Sequence, residues 1–121
     1  MIRPWYPSFR SVSAAVAPAT VERELDRAGG LVDPDQARAV RALCAPGGSV
    51  RAVLAPAGYG KTVMAHVAAN CAAADGRPVL AVATTAKAVA ELDSAGLAAR
   101  TIAQFRLDAS GTSLPAGTVV I

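Results

Sequence analysis

A lysine and a threonine stand directly behind two glycines in the run APAGYGKT at positions 55–62. Glycine accepts backbone conformations that turn successive N–H groups toward a bound anion. In such a loop the lysine reaches the β- and γ-phosphates of a nucleotide, and the threonine hydroxyl binds the accompanying Mg²⁺. The pattern therefore predicts a phosphate-binding loop. We expect Lys61 and Thr62 to serve catalysis, Thr62 to bind the metal, and the loop to hold the cofactor through Ala57, Gly58, Tyr59, Gly60, Lys61 and Thr62.

The loop departs from the full pattern G-x-x-x-x-G-K-[ST] at one position, because Ala55 stands where the first glycine belongs. Gly58 and Gly60, which would face the phosphates, are both present. The simplest competing interpretation is a surface turn that happens to contain a lysine.

The elements on either side favour the first interpretation. The apolar run 50–54 predicts a buried strand before the loop. Residues 61–74 predict a helix, with Val63, Val67 and Cys71 spaced four apart and Met64 and Ala68 beside them. A helix that begins at the lysine would add unpaired N–H groups and a partial positive charge, both of which attract anions.

The remaining elements alternate between helix and strand, which indicates a parallel sheet. Asp33 and Pro34 are a typical helix start, and Gly29 with Gly30 ends the helix before it. The predicted order is a helix at 21–28 capped by Thr20, a helix from 34, a strand at 78–83, a helix at 85–95, a short helix at 101–107 and a third strand at 118–121.

Composition narrows the class of protein. The 121 residues fit one domain or part of one, and 29 of them are alanine, so the core should be thin. The net charge of +3 neither requires nor excludes a nucleic-acid partner. No apolar run reaches the length of a membrane span, so no membrane partner is expected, and Cys44 and Cys71 lack the spacing of a zinc site. We interpret residues 1–19 as a disordered or linker arm of a cytoplasmic protein.

Three ordered segments together resemble one family. Gln36, in DPDQARAV, lies 25 residues before Lys61; the phosphate loop follows, and then come VATTAKAVAEL at 82–92 and ARTIAQF at 99–105. This set resembles the first RecA-like domain of superfamily 1 DNA helicases, in particular the RecD type and the helicase part of TraA-type conjugative relaxases. The likeness covers residues 20–121. It implies an α/β fold of the P-loop NTPase class, with a partial RecA-like parallel sheet flanked by helices, and ATP with Mg²⁺ as cofactors.

The resemblance assigns further site residues. Gln36 corresponds to the glutamine that reads the adenine edge, for which an amide offers both a donor and an acceptor. Thr85, Lys87 and Thr101 correspond to residues that contact the backbone of single-stranded DNA, the expected partner of the complete protein. Helix capping or plain solvent exposure would explain the same residue types. Tyr59 stands where the family usually has threonine.

In this family an Asp-Glu pair directly follows the strand that ends here at residue 121, and a second RecA-like domain supplies an arginine. We therefore expect this polypeptide alone to have no appreciable ATPase activity, since phosphoryl transfer needs those groups. Two alternatives stay open: a small-molecule or nucleotide kinase, although the chain lacks an arginine-rich lid, and a non-functional remnant of a relaxase-helicase.

Overall fold

A computed structural model of the chain describes residues 15–47, 50–109 and 114–121. Helix α1 spans Pro18–Ala28, and a 3₁₀ turn follows at Gly29–Leu31. The prediction that Thr20 caps this helix is wrong. The helix begins at Pro18, because a proline suits the first helical turn, and Thr20 is buried inside the helix. Most of the arm predicted at 1–19 lies outside the described residues, but Val16 is buried in the core.

Helix α2 spans Pro34–Cys44 and begins as the sequence predicts. The Asp33 carboxylate accepts a hydrogen bond from the Gln36 backbone N–H at 2.8 Å. The Gln36 side-chain oxygen accepts one from the Asp33 N–H at 2.9 Å. This reciprocal pair is a capping box, which satisfies two N–H groups that a helix start leaves without partners.

The second half of the chain alternates between helices and parallel strands, including one strand, at 99–101, that the sequence did not predict. The elements are α3 at Lys61–Ala74, β1 at Val79–Ala83, α4 at Ala86–Ser94, β2 at Ala99–Thr101, α5 at Ile102–Ala109 and β3 at Val119–Val120. The sheet has the order β2-β1-β3, with every pair parallel. Ala83 lies opposite Thr101, and Leu80 lies opposite Val120. The fold is therefore an α/β fold with a small parallel sheet.

Two apolar clusters hold the elements together, and α3 contributes to both. The first joins α1, α2 and α3 through Val16, Val21, Leu25, Val40, Cys44, Met64, Val67 and Cys71. The second joins α3 to the sheet through Ala69, Ala81 and Leu97. Because α3 is covered on two faces, its apolar residues surround it rather than forming one stripe. Val63, predicted as part of that stripe, remains 37% exposed.

The strand predicted at 50–54 is the main error. Among the described residues, this segment pairs with no strand of the sheet. The side chains of Val50 and Leu54 are 84% and 98% exposed. Val53 and Ala55 pack instead against the first cluster, so alternate residues face the helices. An apolar run identifies a segment that can pair, but pairing also requires a neighbouring strand.

Among the described residues, no helix combines the length and the apolar character needed to cross a membrane.

Candidate functional site

The loop before α3 is a tight turn built around two glycines in the left-handed region. The Tyr59 N–H donates to the Pro56 carbonyl at 3.4 Å, which closes the turn. Gly58, the third residue of the turn, has φ of +84°, and Gly60 has φ of +73°. A positive φ at the third position is the type II arrangement that selects glycine. The glycines predicted to shape the loop therefore do so.

The start of α3 presents unpaired backbone donors beside this turn. Gly60 occupies the N-cap position, and no side chain caps the helix there. The first helical hydrogen bond runs from the Met64 N–H to the Gly60 carbonyl, at 3.0 Å. The N–H groups of residues 61–63 thus have no carbonyl partner within the helix, which is the arrangement that binds anions at helix starts.

Lys61 and Thr62 are both exposed at this helix start. The ion pairs found in the described part of the chain all involve arginines, so the Lys61 ammonium takes part in none of them. A cation, a hydroxyl and unpaired N–H groups therefore lie together at one helix end. This donor set fits the phosphates of a nucleotide and the Mg²⁺ bound to them.

Gln36 contacts the loop directly, although it lies 23 residues before Tyr59. Its side-chain amide donates to the Tyr59 carbonyl at 2.8 Å. The same amide nitrogen faces the α-carbon of Gly60 so closely that a β-carbon at this position would clash with it. The structure therefore brings Gln36 to the loop and holds it there through the capping box at the start of α2.

Ala55 and Tyr59, the two residues that depart from the expected pattern, both make contacts in the structure. Ala55 is half-buried and packs against the first cluster, a contact that a glycine would lose. The Tyr59 side chain is 63% exposed, and its carbonyl accepts the Gln36 bond.

A groove of about 680 Å³ begins at Thr62 and follows α3 along its open side. His66 and Asn70 line the floor, and Glu24, Arg27 and Leu31 line the opposite wall. Glu24 is buried and pairs with Arg27 at 3.3 Å. No pattern in the sequence indicated the groove, because its walls come from two separate helices.

The three residues predicted on the DNA side follow the carboxyl ends of neighbouring strands. Thr85 is the N-cap of α4, and its hydroxyl oxygen accepts from the Ala88 N–H at 3.1 Å. Thr101, at the end of β2, accepts from the Gln104 N–H at 3.1 Å. Lys87 is exposed in the first turn of α4. The capping role that the sequence left open is thus real for both threonines.

The sheet topology relates this edge to the phosphate loop. Helix α3 leads into β1 through a short turn and packs back against it, so the two run in opposite directions. The start of α3 therefore lies toward the carboxyl ends of the strands. In open α/β sheets this is the edge at which ligands bind.

A comparison with known families agrees with this geometry. The model of the AAA domain family matches residues 31–121, which is 91 of the 121 residues. The chain belongs to the AAA domain family. Nothing among the curated proteins or the solved structures matches it.

As an AAA domain, the chain carries a P-loop NTPase fold and a nucleotide-binding loop. Members of this class generally bind ATP with Mg²⁺, and the donor set at the start of α3 fits that pair. Lys61 and Thr62, with the N–H groups of residues 61–63, are the groups that would hold it. The match begins before α2 and so includes Gln36 as well as the loop.

Proposed function

We propose that this AAA domain is the ATP-binding part of a superfamily 1 DNA helicase motor, of the RecD type or from the helicase part of a TraA-type relaxase. In such a motor, ATP with Mg²⁺ drives translocation along single-stranded DNA. The observation that carries the proposal is the contact of Gln36 with the Tyr59 carbonyl at 2.8 Å. Phosphate loops occur in many ATPases, whereas a glutamine brought to the loop by the preceding helix matches the adenine-reading residue of this group.

The contact leaves part of the Gln36 amide available. Its oxygen accepts the Asp33 N–H, and its nitrogen uses one of two hydrogens on Tyr59. The second N–H of the Gln36 amide and the second lone pair of its oxygen are therefore available to hydrogen-bond with the edge of a base. A side chain fixed on both sides loses little further freedom on binding, which favours recognition by a preorganised group.

The chemistry of the phosphate side rests on charge. Lys61 would neutralise the β- and γ-phosphates, and the Thr62 hydroxyl would bind the Mg²⁺. When bound, Mg²⁺ neutralises charge that develops on the transferred phosphoryl group. The N–H groups of residues 61–63 hold the phosphates without any side-chain movement, because the backbone is already fixed by α3.

The DNA side is supported by the free protons of the two capping threonines. Each hydroxyl oxygen accepts a helix N–H, so its own hydrogen remains available to donate to a phosphate oxygen. Lys87, two residues after Thr85, adds a positive charge. A capping role and a phosphate contact are therefore compatible at the same residue.

The nucleotide part is tested with the chain's two lysines, since Lys61 and Lys87 are the only ones it has. We expect Lys61→Ala to weaken binding of a fluorescent ATP analogue with Mg²⁺ by roughly tenfold to a hundredfold, the effect of losing a hydrogen bond to a charged group. Lys87→Ala removes the same charge away from the loop and should leave this affinity unchanged. Equal losses in both variants, or no binding by the wild type, would reject the ATP site and favour a non-functional remnant.

The DNA part is tested by separating the cap from the phosphate contact. Thr85→Asp keeps a good helix cap but places a negative charge against the phosphates. We expect it to retain the thermal midpoint of the wild type, to weaken binding of a labelled single-stranded oligonucleotide, and to lower the salt dependence of what binding remains. Fluorescence anisotropy at several salt concentrations measures this. Oligonucleotide binding that is the same in Thr85→Asp and the wild type would contradict the assignment.

A further inference from the structure

The groove between α1 and α3 contains a buried charged side chain that neither the nucleotide site nor the DNA side uses. Its floor is formed by α3, where the lining extends from Thr62 to Ala74, and its wall by α1 and the 3₁₀ turn after it. At about 1.5 Å per residue, this stretch of helix is roughly 18 Å long. The volume of about 680 Å³ lies in the size range of small-molecule sites.

Glu24 supplies the buried charge. Its side chain lines the groove and is only 8% exposed. Arg27 donates to one of its carboxylate oxygens from 3.3 Å, whereas hydrogen bonds between charged groups are usually about 2.7–2.9 Å long. In the described part of the chain, no other side chain donates to this carboxylate. A buried carboxylate with one long hydrogen bond is incompletely compensated, so it favours a second cation.

Arg27 leaves the carboxylate accessible to such a cation. The Arg27 side chain is 71% exposed, and it pairs with Glu24 across one turn of the same helix. Ion pairs of this kind at a surface are weak. A ligand that brings its own positive charge can therefore take over the carboxylate while Arg27 turns toward the solvent.

The remaining lining indicates what else the ligand carries. Apolar side chains from both helices, including Ala28, Leu31, Val63 and Val67, form much of the surface. Leu31 is 76% exposed, so a hydrocarbon placed against it would remove apolar surface from water. Within the described ranges, no three His, Cys, Asp or Glu residues lie together as a metal site requires. The lining thus favours an organic cation with an apolar body over a metal ion.

We propose that this groove binds a small organic cation, in which an ammonium or guanidinium group is attached to a hydrocarbon body. The positive group pairs with the Glu24 carboxylate, and the body lies along α3 against Leu31. Asn70, on the floor, offers an amide for further hydrogen bonds. Thr62 lies at one end of the groove, so the ligand would adjoin the phosphate loop, but its binding does not require a nucleotide.

The test compares three six-carbon probes on the full chain by ¹H–¹⁵N NMR titration at neutral pH. Hexylamine is a cation, hexanol is neutral and hexanoate is an anion. We expect hexylamine to bind at least about tenfold more tightly than hexanol, the effect of a hydrogen bond to a charged group. Hexanoate should bind no better than hexanol. The signals of residues 24–31 and 62–74 should shift, and each further CH₂ of the amine should strengthen binding about fourfold until the groove is filled.

Two pairs of variants assign the effect to Glu24 and Arg27. Glu24→Gln keeps the size of the side chain but removes its charge, so it should weaken hexylamine binding at least about tenfold. Glu91→Gln makes the same change at an exposed position of α4 outside the groove and should have no effect. Arg27→Ala removes the competing cation and should tighten binding about twofold to fivefold. Arg23→Ala, on α1 but outside the groove, should leave binding nearly unchanged.

Thermal midpoints with and without hexylamine show that each variant is folded, because a ligand that binds the folded chain raises its midpoint. If Glu24→Gln does not fold, the probe comparison and Arg27→Ala still decide the matter. Absence of hexylamine binding by the wild type, equal affinity for hexylamine and hexanol, preference for hexanoate, weaker binding by Arg27→Ala, or signal shifts confined to the carboxyl edge of the sheet would each overturn the proposal.

Discussion

At the scale of the residue, Gln36 connects two structures that the chain builds separately. Its backbone and side chain complete the capping box with Asp33, and its amide nitrogen donates to the Tyr59 carbonyl. Two demands also meet at Gly60, which needs a positive φ and has no room for a β-carbon because the Gln36 amide lies against it. The shape of the phosphate loop therefore depends on a side chain from another helix.

Two substitutions of Gln36 separate its roles. Gln36→Glu keeps an acceptor for the capping box, as glutamate commonly does at this position, but cannot donate to the Tyr59 carbonyl. Gln36→Ala removes both contacts. We expect Gln36→Ala to lower the free energy of unfolding by about 1 kcal/mol through the lost hydrogen bond from the Asp33 N–H, since the Asp33 carboxylate still caps the helix. Both variants should speed hydrogen exchange of residues 57–60 and weaken binding of the ATP analogue.

Urea unfolding and hydrogen exchange by mass spectrometry measure these effects. If Gln36→Glu bound the nucleotide as tightly as the wild type, with unchanged exchange in the loop, the contact with Tyr59 would not matter for the site.

At the scale of the element, the sequence identifies helices whose first residues are typical of a helix start. Asp33 with Pro34, and the Gly60-Lys61 step, mark helix starts that the structure confirms. Strand β2 was missed because it has only three residues, and its assignment depends on pairing with β1. The run 50–54 failed for the opposite reason, since it has strand composition but no strand beside it among the described residues. Residue types at a helix start predict where the helix begins, whereas a strand forms only where a second strand lies beside it.

The contact between α1 and α2 gives a prediction about pH. The Arg41 guanidinium donates two hydrogen bonds to the Glu22 carboxylate, at 2.7 and 3.0 Å. These hydrogen bonds are the main cause of the lowered pKa of Glu22. A carboxyl group whose pKa is lowered on folding stabilises the protein above its unfolded pKa, and this stability disappears as the pH falls through the folded pKa. We expect Glu22→Gln to lower the thermal midpoint at neutral pH and to have no effect in acid, below the ordinary glutamate range.

Asp35→Asn is the matched control, because Asp35 pairs with Arg38 at 3.2 Å within α2 and joins no two elements. Its effect on the midpoint should be smaller at every pH. Added salt should reduce both effects, since both pairs are exposed. A Glu22→Gln effect that stayed constant from neutral pH into acid would contradict the assignment to this ion pair.

At the scale of the whole molecule, α3 joins the helical layer to the sheet. Arg77, between the end of α3 and the start of β1, adds hydrogen bonds to segments that are distant in sequence. The Arg77 guanidinium donates to the Gly117 carbonyl at 3.2 Å and to the Ala15 carbonyl at 3.3 Å. Segments from the beginning and the end of the chain thus meet beside the start of β1. Such contacts between distant residues leave no signal in the spacing of neighbouring ones.

In the candidate site, too, local features could be predicted from the sequence and contacts between distant segments could not. Gly58, Gly60, Lys61 and Thr62 could be identified from the sequence because the phosphate loop is a local structure. Gln36 could be assigned only through the resemblance to helicases, since its approach to the loop depends on how α2 packs against α3. The roles of Thr85, Lys87 and Thr101 in binding DNA stay predictions; what the structure adds is their common edge of the sheet and the capping bonds of the two threonines.

The segment 50–54 offers a test of the whole arrangement, because a strand inside the sheet and a segment lying along the helices bury different side chains. In the structure Leu54 is 98% exposed, whereas Val53 packs against the first cluster. We therefore expect Leu54→Asp to change the free energy of unfolding by less than about 0.5 kcal/mol and to reduce self-association, since an exposed leucine is replaced by a charge. Val53→Asp should lower the free energy of unfolding by about 2 kcal/mol or more, because it puts a charge against an apolar core. Urea unfolding and sedimentation velocity measure the two quantities. If Leu54→Asp unfolded the protein while Val53→Asp was tolerated, the segment would bury its other face.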